Sequence, residues 1–444
     1  MTTYPGGHMG AKITSLNVFD VRFPTSTMLD GSDAMNADPD YSAGYLRIDT
    51  NQSGLSGHSL VFTIGRGNDV QIAAIKMLVE RFAGMDIDEA FKNIGKITRE
   101  LSSDSQIRWL GPDTGVFHMG IGAVLNALWD LFAKARNVPL WKLLSDMTPE
   151  EIVAAIDFRY ISDAITPAEA LAILKKSEGA KAENEKILRT KGLPAYTTTP
   201  GWLGYSDEKM LDLTKQAMAD GFTLIKYKCG KSKEDDRRRL TKVRELVGPD
   251  FSIAIDANQV WDVDTAIDWV NSLAEFKLRW IEEPTHPEDV LGHARIAREV
   301  APTPVATGEM ASNRMIFKQL LQSNAISVMQ IDATRVAGVN ENLANILMAA
   351  KFGIPVCPHA GGVGLCEMVQ HMAMFDAVAV TGHHEKRIVE YVDHLHNHFV
   401  VPTNVVNGFY LAPTEPGAGA EMFQASIDEY LFPSGTYWKS AVKK

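Results

Sequence analysis

Cysteine is scarce in this sequence. The three that occur, Cys229, Cys357 and Cys366, are odd in number and widely spaced. Small secreted proteins that depend on disulfides usually carry an even and denser set. The pattern is typical of reduced thiols in a cytosolic protein, and it excludes a disulfide framework as the basis of the fold.

Positive charge is also in short supply. The chain has 44 Lys and Arg against 55 Asp and Glu, a net charge of -11. A nucleic-acid partner requires a basic face, because its phosphates carry a dense negative charge. The balance argues against nucleic acid, while a small anionic substrate held by a local cluster or a metal stays possible.

Long apolar runs are missing as well. No run approaches the roughly 20 residues that a membrane-spanning helix needs. The first residues, Met1 to Lys12, are polar and contain no apolar segment of a signal peptide. We therefore expect a cytoplasmic protein with no membrane partner.

What is present fits a globular enzyme of more than one domain. The 444 residues are 45% hydrophobic and 22% charged, and exceed one ordinary domain, so two are expected, one of them the size of a barrel. We predict an α+β domain over 1–145, a barrel over 146–400, and a tail over 401–444 that returns to the first domain. Pro24 to Tyr41, called the lid below, is a long polar loop, and a structureless loop of this length is usually a lid, a binding loop or disordered.

Between Phe222 and Gly364, short strand-like runs repeat and each ends in a charged or ionisable residue. Helical segments such as Asp264 to Phe276 and Gly338 to Phe352 separate them, which predicts parallel βαβ units of an α/β fold. In a TIM barrel the carboxyl ends of the strands meet at one site. The runs are Thr223–Lys228, Ser252–Asp256, Arg279–Glu283, Pro304–Glu309, Ile326–Asp332 and Ile354–His359. A further strand, Ile152 to Phe158, is expected to open the barrel.

Three acids end successive strands of this series. Asp256, Glu282 and Glu309 stand 26 and 27 residues apart, so their side chains are expected to meet. Three hard oxygen ligands with room for water and substrate suit Mg²⁺. Asn258 faces the same side as Asp256, whereas Glu283 faces away from Glu282.

Two lysines share one face of a strand. Lys226 and Lys228 are two residues apart, so both side chains are expected to point inward. Like-charge repulsion and a nearby Mg²⁺ lower the pKa of a lysine, which would make a neutral amine available as a general base.

Asp332 and His359 end the next two strands. A carboxylate bonded to one imidazole nitrogen leaves the other nitrogen free for acid or base work. Glycines at 361, 362 and 364 leave the ring uncrowded.

These motifs resemble the enolase superfamily, and the Lys-x-Lys with an Asp–His pair resembles its mandelate racemase group. The similarity extends over nearly the whole chain. The motifs that carry it are Lys226-Tyr-Lys228, Asp256-Ala-Asn258, Trp280-Ile-Glu282-Glu-Pro284, Gly308-Glu309 and the Asp332 and His359 pair, together with Val21-Arg-Phe-Pro-Thr25, Asp38-Pro-Asp-Tyr41, Gly204-Tyr-Ser-Asp207 and Glu390-Tyr-Val-Asp-His-Leu-His396.

The resemblance implies a modified TIM barrel, (β/α)₇β, capped by an α+β domain built from both ends of the chain. It also implies dehydration of an acid sugar, with L-fuconate as the expected substrate, through a Mg²⁺-stabilised enediolate. Asp256, Glu282 and Glu309 would then bind the metal. A homo-oligomer is expected.

Roles for single residues follow from the same resemblance. Lys228 would remove the proton next to the carboxylate, with its pKa lowered by Lys226. His359, oriented by Asp332, would protonate the departing 3-hydroxyl. Glu390 would hydrogen-bond the enediolate, and three residues of the lid would contact the distal hydroxyls, namely Ser32, Asp33 and Tyr41. Met310 and Ala311 follow Glu309 where a polar residue is expected, which predicts a more apolar pocket.

Three alternatives remain open. The same site could dehydrate or epimerise another aldonate. A non-catalytic paralogue would have lost at least one of Lys228, His359 and the three acids, and all are present. A barrel metallohydrolase would be expected to have several histidines at strand ends, and only His359 stands at one.

Overall fold

An antiparallel sheet opens the chain in the computed structural model, which describes residues 10–383 and 386–441. Strands β1 (Ile13–Arg22), β2 (Ser42–Thr50) and β3 (Ser56–Thr63) pair in that order. Their apolar alternation predicted strands in these places, and the structure confirms them. The lid loop lies between β1 and β2.

Helices cover this sheet. They are α1 (Asn68–Val79), α2 (Ile87–Lys92), α3 (Ile94–Ser102), α4 (Gly115–Ala135), α5 (Leu140–Asp146) and α6 (Pro149–Ala155). Helix α4 is long and apolar enough to cross a membrane, contrary to the prediction from the sequence, but most of it is buried inside the protein. It packs against β3 and α1 as a core helix.

The predicted first barrel strand, Ile152 to Phe158, is wrong. Thr148 and Glu151 form a reciprocal capping box, and Pro149 occupies the first helical turn, so the segment begins helix α6. The β-branched Ile152 and Val153 favoured a strand, but the capping box and the proline at the helix N-terminus outweigh that preference. Two further helices follow, α7 (Pro167–Ser177) and α8 (Lys181–Lys191).

Parallel strands then alternate with helices. The strands are β4 (Leu193–Thr197), β5 (Leu224–Lys228), β6 (Ser252–Asp256), β7 (Ile281–Glu282), β8 (Val305–Thr307) and β9 (Val328–Met329), paired in sequence order. The helices are α9 (Asp207–Ala219), α10 (Lys233–Val247), α11 (Val263–Ser272), α12 (Val290–Glu299), α13 (Arg314–Gln322) and α14 (Gly338–Phe352). Five of the six predicted runs coincide with strands, although most strands are shorter than predicted.

The sixth run, Ile354 to His359, forms a single bridge instead of a strand, between Val356 and Met329. Its two prolines lack the N–H that a ladder needs. The segment still donates from His359 N to Ile331 O at 2.9 Å, and Pro358 O accepts from Glu390 N at 3.2 Å. After helix α15 (Leu365–Ala379), strand β10 (Val389–Tyr391) pairs in parallel with β4.

Alternate residues of these strands face a separate inner core. It consists of Tyr196, Leu224, Ala254, Trp280, Ala306, Val328, Cys357 and Ile388. Because successive strand residues alternate in direction, residues two positions further on face the same inner space. Those residues include Lys226, Asp256, Glu282 and Glu390.

The C-terminal tail contacts the strand that opens the chain. Leu431 forms an antiparallel bridge with Val21, and Phe432 N donates to Asp20 O at 2.7 Å. The tail contains β11 (Val405–Val406), β12 (Phe409–Tyr410), α16 (Gln424–Tyr430) and α17 (Thr436–Ala441). Short 3-10 helices lie at Thr25–Met28, Glu80–Phe82, Arg108–Leu110, Glu178–Ala180, Thr199–Gly201, Ala274–Phe276 and His396–His398.

Candidate active site

Three buried carboxylates meet at the ends of β6, β7 and β8. One oxygen from each of Asp256, Glu282 and Glu309 lies within 4.8 Å of the others. Burial raises the pKa of Glu282 to about 8 and also raises that of Glu309. Burial acts in the same direction on Asp256, but Lys228 and Lys226 outweigh it, so the pKa of that carboxyl is lowered. Buried carboxylates this close repel one another, so the arrangement costs free energy unless a cation neutralises their charge.

The cluster fits a divalent cation by its donors. All three ligands are carboxylate oxygens, which hard cations such as Mg²⁺ prefer, and Glu309 Oε2 is buried without a hydrogen-bond partner. Neighbouring donors fix the other carboxylates. Trp280 Nε1 donates to Glu282 Oε2 at 2.9 Å, and Asn258 N donates to Asp256 Oδ1 at 2.9 Å.

Both lysines of β5 point toward the acids. Lys226 Nζ donates to Glu282, lies 2.9 Å from Glu390 Oε1 and 3.4 Å from Asp256 Oδ2. Lys228 Nζ donates to Asp256 Oδ2 at 2.6 Å. Burial lowers the pKa of Lys228, but the carboxylates of Asp256, Glu309 and Asp33 together raise it, and the net shift is upward. The acids opposite thus outweigh Lys226 in this arrangement, and the lowered pKa expected with Mg²⁺ bound stays a prediction.

His359 and Asp332 form the expected pair. Nδ1 of the ring lies 2.8 Å from Asp332 Oδ2, while Asp332 Oδ1 accepts from Thr334 N and Arg335 N. Burial lowers the pKa of His359, but Glu309 and the Asp332 bond raise it to about 9. Gly361 N also points at Nε2 from 3.2 Å, a contact that only the neutral ring accepts. The ring therefore has partners in both protonation states.

Glu390 of β10 closes this group. Its Oε1 accepts from Lys226 and from the Thr198 hydroxyl, and its Oε2 accepts from Ala360 N at 2.9 Å. Burial raises the pKa of Glu390, but Lys226, His359 and Lys228 together lower it, and the net shift is downward. Thr198 was not predicted from the sequence. It follows strand β4, whereas the strand that opens the barrel was predicted at Ile152 to Phe158.

A cavity of about 470 Å³ opens beside these groups. Lys228, Glu309, Asp332 and His359 line it together with Asp33, Tyr41 and Asn258. The remaining wall includes Met310, as the sequence predicted, and other apolar side chains, namely Met35, Phe62, Ile64, Val116 and Met119. Arg335 also lines the cavity and was not foreseen.

The lid residues divide into two groups. Asp33 and Tyr41 line the cavity, and the Asp33 carboxylate accepts from Met35 N and Asn36 N at 2.7 Å each. Asn258 lines the same cavity from outside the lid, and its Oδ1 is buried without a hydrogen-bond partner. Burial raises the pKa of Asp33 and of Tyr41. Ser32 is different: its hydroxyl donates to Leu29 O and accepts from Gly204 N, so it secures the lid rather than facing the cavity.

Comparison with known proteins gives consistent results. A family model described as enolase C-terminal domain-like matches residues 209–426. L-galactonate dehydratase of Hypocrea jecorina is 49% identical over 433 residues, covering 96% of each chain. The crystal structure of human mitochondrial enolase superfamily member 1 is 47% identical with a TM-score of 0.97, covering 98% of this chain and 100% of that one.

A more distant structure holds a metal. L-talarate/galactarate dehydratase from Salmonella typhimurium LT2, liganded with Mg and L-lyxarohydroxamate, is 25% identical with a TM-score of 0.73, covering 94% of this chain and 92% of that one. The full-length similarity at nearly half identity, together with the acid cluster and the lysine and histidine groups, establishes that this chain belongs to the enolase superfamily.

Proposed function

We propose that this protein is a Mg²⁺-dependent acid-sugar dehydratase, with L-fuconate as the favoured substrate. The observation that carries the proposal is the meeting of an acid cluster, an inward lysine and an Asp–His pair at one cavity. The 49% identity to an L-galactonate dehydratase supports the reaction class. L-fuconate is the 6-deoxy form of L-galactonate, so the apolar cavity wall suits its terminal methyl group.

The chemistry that Mg²⁺ supplies, when held by Asp256, Glu282 and Glu309, is neutralisation of these carboxylates and of the substrate carboxylate beside them. Lys228 takes the proton from C2. His359 Nε2 donates a proton to the 3-hydroxyl, so that the C3–O bond breaks and water leaves. The resulting enol becomes a 2-keto-3-deoxy acid.

The other residues position these two. Asp332 holds the Nδ1 side of His359 and so fixes which nitrogen faces the substrate. The Lys226 ammonium forms ion pairs with both Glu282 and Glu390 and so holds the two carboxylates in place. The expected hydrogen bond from Glu390 to an enediolate requires a protonated carboxyl, and its lowered pKa disfavours that. We assign Glu390 instead to orienting Lys226.

The wider architecture belongs to the same proposal. The hydrogen bonds from β9 through residues 354–359 to β10 support closure of a (β/α)₇β barrel. We keep the division into 1–145, 146–400 and 401–444. A homo-oligomer in the cytoplasm also remains proposed, and the buried free thiols of all three cysteines agree with that location.

Turnover of an aldonate panel tests the function. Purified protein is incubated with L-fuconate, L-galactonate and other aldonates, with and without Mg²⁺, and 2-keto acid is measured, beside Lys228→Ala and His359→Asn. Mg²⁺-dependent product that both variants lack supports dehydration. Inversion at C2 without loss of water would instead favour an epimerase, and no turnover by a folded, Mg²⁺-binding protein would favour a binding paralogue.

A further inference from the structure

Arg335 places a positive charge on the cavity wall that the mechanism does not use. Its backbone N donates to Asp332 Oδ1 at 2.8 Å, so the residue stands directly beside the catalytic pair. Its side chain runs on between Met310, which follows a metal-cluster acid, and Met119 of α4. The guanidinium therefore lies where the strand ends and the N-terminal region share the cavity.

Few of its donors are used. Nε donates to Met310 O at 3.2 Å, and Nη1 lies 3.4 Å from the sulfur of Met119, a weak acceptor. Among the described residues, no carboxylate forms an ion pair with it; Asp332 and Glu283 act on it only at longer range. A guanidinium has five N–H groups, so several donors remain for whatever fills the cavity.

The surroundings make those donors costly when they are left unpaired. The same stretch of wall is lined by Met119, Val116, Phe62 and Met310. Polar groups in such surroundings lose solvation unless a partner replaces the water. The neighbouring Thr334 hydroxyl is already occupied, since it donates to Asp332 Oδ1 at 3.0 Å.

We propose that Arg335 is a specificity-determining residue, which donates hydrogen bonds to the hydroxyl oxygens of a sugar acid beyond C3. The inference rests on the proposed function, because it assumes that C2 and C3 lie between Lys228 and His359. The planar fork of the guanidinium suits two oxygens at once, which a lysine cannot reproduce.

Paired substrates test the role. One is L-galactonate, and the other is 2,3-dihydroxybutanoate of matching C2 and C3 configuration, which has no hydroxyl beyond C3. Arg335→Gln is expected to lower kcat/KM for the six-carbon acid about 10- to 100-fold, mainly through KM. C2 proton exchange on the four-carbon acid should change less than about twofold, and Arg335→Lys should restore only part of the loss.

Controls separate this role from a structural one. Arg298→Gln removes the same charge at an exposed helix position and should leave both substrates unaffected. An equal loss on both acids in Arg335→Gln, or no loss on either, would overturn the proposal. Calorimetric binding of the six-carbon acid separates the role of Arg335 from the proposed dehydratase function. If the wild type binds the acid without turning it over and Arg335→Gln weakens that binding, the dehydratase function is overturned and the role of Arg335 stands. If Arg335→Gln leaves the binding unchanged, the role of Arg335 is overturned.

Discussion

The two lysines of β5 differ in what surrounds each amine. Lys226 is fully buried and faces three carboxylates, of Asp256, Glu282 and Glu390. Lys228 contacts one of them and lines the cavity. An enclosed amine holds charge in place, while one that reaches the cavity can exchange a proton with a substrate. This difference supports the proposal that Lys228 is the base.

Replacing each lysine by methionine should separate these roles. Lys228→Met is expected to lower kcat by about 10²- to 10⁴-fold, the usual contribution of a general base, with little change in stability. Lys226→Met leaves buried acids without their cation and should cost about 3–5 kcal/mol of unfolding free energy. Urea unfolding and kinetics, both in Mg²⁺, check this, and equal destabilisation by the two changes would contradict it.

Thr198 provides a second test at this scale. Thr198→Val keeps the side-chain shape but removes the donor to Glu390 Oε1, so the carboxylate and its partner Lys226 lose orientation. We expect kcat to fall about tenfold, which corresponds to one hydrogen bond of about 1.4 kcal/mol to a charged group. The matched control is Thr199→Val, since the Thr199 hydroxyl bonds to Asp393 N instead. Similar losses in both variants would contradict the role of Thr198.

Among the elements, the lid is the one that joins the two parts of the chain. Its backbone and side chains bond to the loop after β4, through Leu203 N to Ser32 O at 3.1 Å, Gly204 N to the Ser32 hydroxyl, and Tyr205 to Asp30. Asp33 and Tyr41 of the same lid reach the cavity. The position of the lid therefore decides the shape of the substrate site.

Loosening one lid contact should act on binding. Tyr205→Phe removes only the bond to Asp30, and we expect KM to rise about 3- to 10-fold with a smaller change in kcat, as one hydrogen bond is worth about 1 kcal/mol. Steady-state kinetics measure this, and faster proteolysis between residues 25 and 41 should accompany it. Tyr160→Phe is the control, because that exposed residue lies outside both the lid and the cavity. An unchanged KM would show that the lid is held without Asp30.

The start of α6 offers a test of the corrected assignment. Thr148→Ala removes the half of the capping box in which the Thr148 hydroxyl accepts from Glu151 N, and it should cost about 1 kcal/mol of unfolding free energy. Urea unfolding measures it, with Thr190→Ala in the exposed part of α8 as the control. No loss would mean that the box contributes nothing to α6.

The barrel strands and the candidate site show which features the sequence could predict and which it could not. Strand ends that carry Lys228, Asp256, Glu282, Glu309 and Asp332 were predicted, because each follows a short apolar run of strand length. Strand β4 was not, since the strand that opens the barrel was predicted at Ile152 to Phe158 instead. Local pattern also could not reveal that Glu390 and Thr198 meet, or that the acids outweigh Lys226 at Lys228, because both depend on distances across the fold.

The molecule as a whole holds several histidines neutral in its interior. Burial lowers the pKa of His371 to about 3 and that of His58 to about 2. In the unfolded chain the pKa of each histidine is about 6.5. The unfolded state therefore binds more protons below that pH, so their contribution to stability is complete above about 6.5 and is lost as the pH falls toward 3.

Acid should thus remove the stability that these two histidines contribute. At pH 5 each histidine contributes a loss of about 2 kcal/mol relative to pH 7. His371→Gln, which can still accept from Trp141 N, should remove about half of the combined effect. Urea unfolding at pH 7 and pH 5 measures this, with the exposed His286→Gln as control. An unchanged pH dependence in His371→Gln would contradict the assignment.

The bond between Asp20 and Phe432 has a consequence for synthesis on the ribosome. Strand β1 lies at the edge of its sheet, and its outer partners, Leu431 and Phe432, are made about 410 residues later. At about 5–20 residues per second, translation leaves this edge uncovered for roughly 20–80 seconds. During that interval the nascent protein exposes an unpaired strand edge, which is open to pairing with other chains and to capture by chaperones.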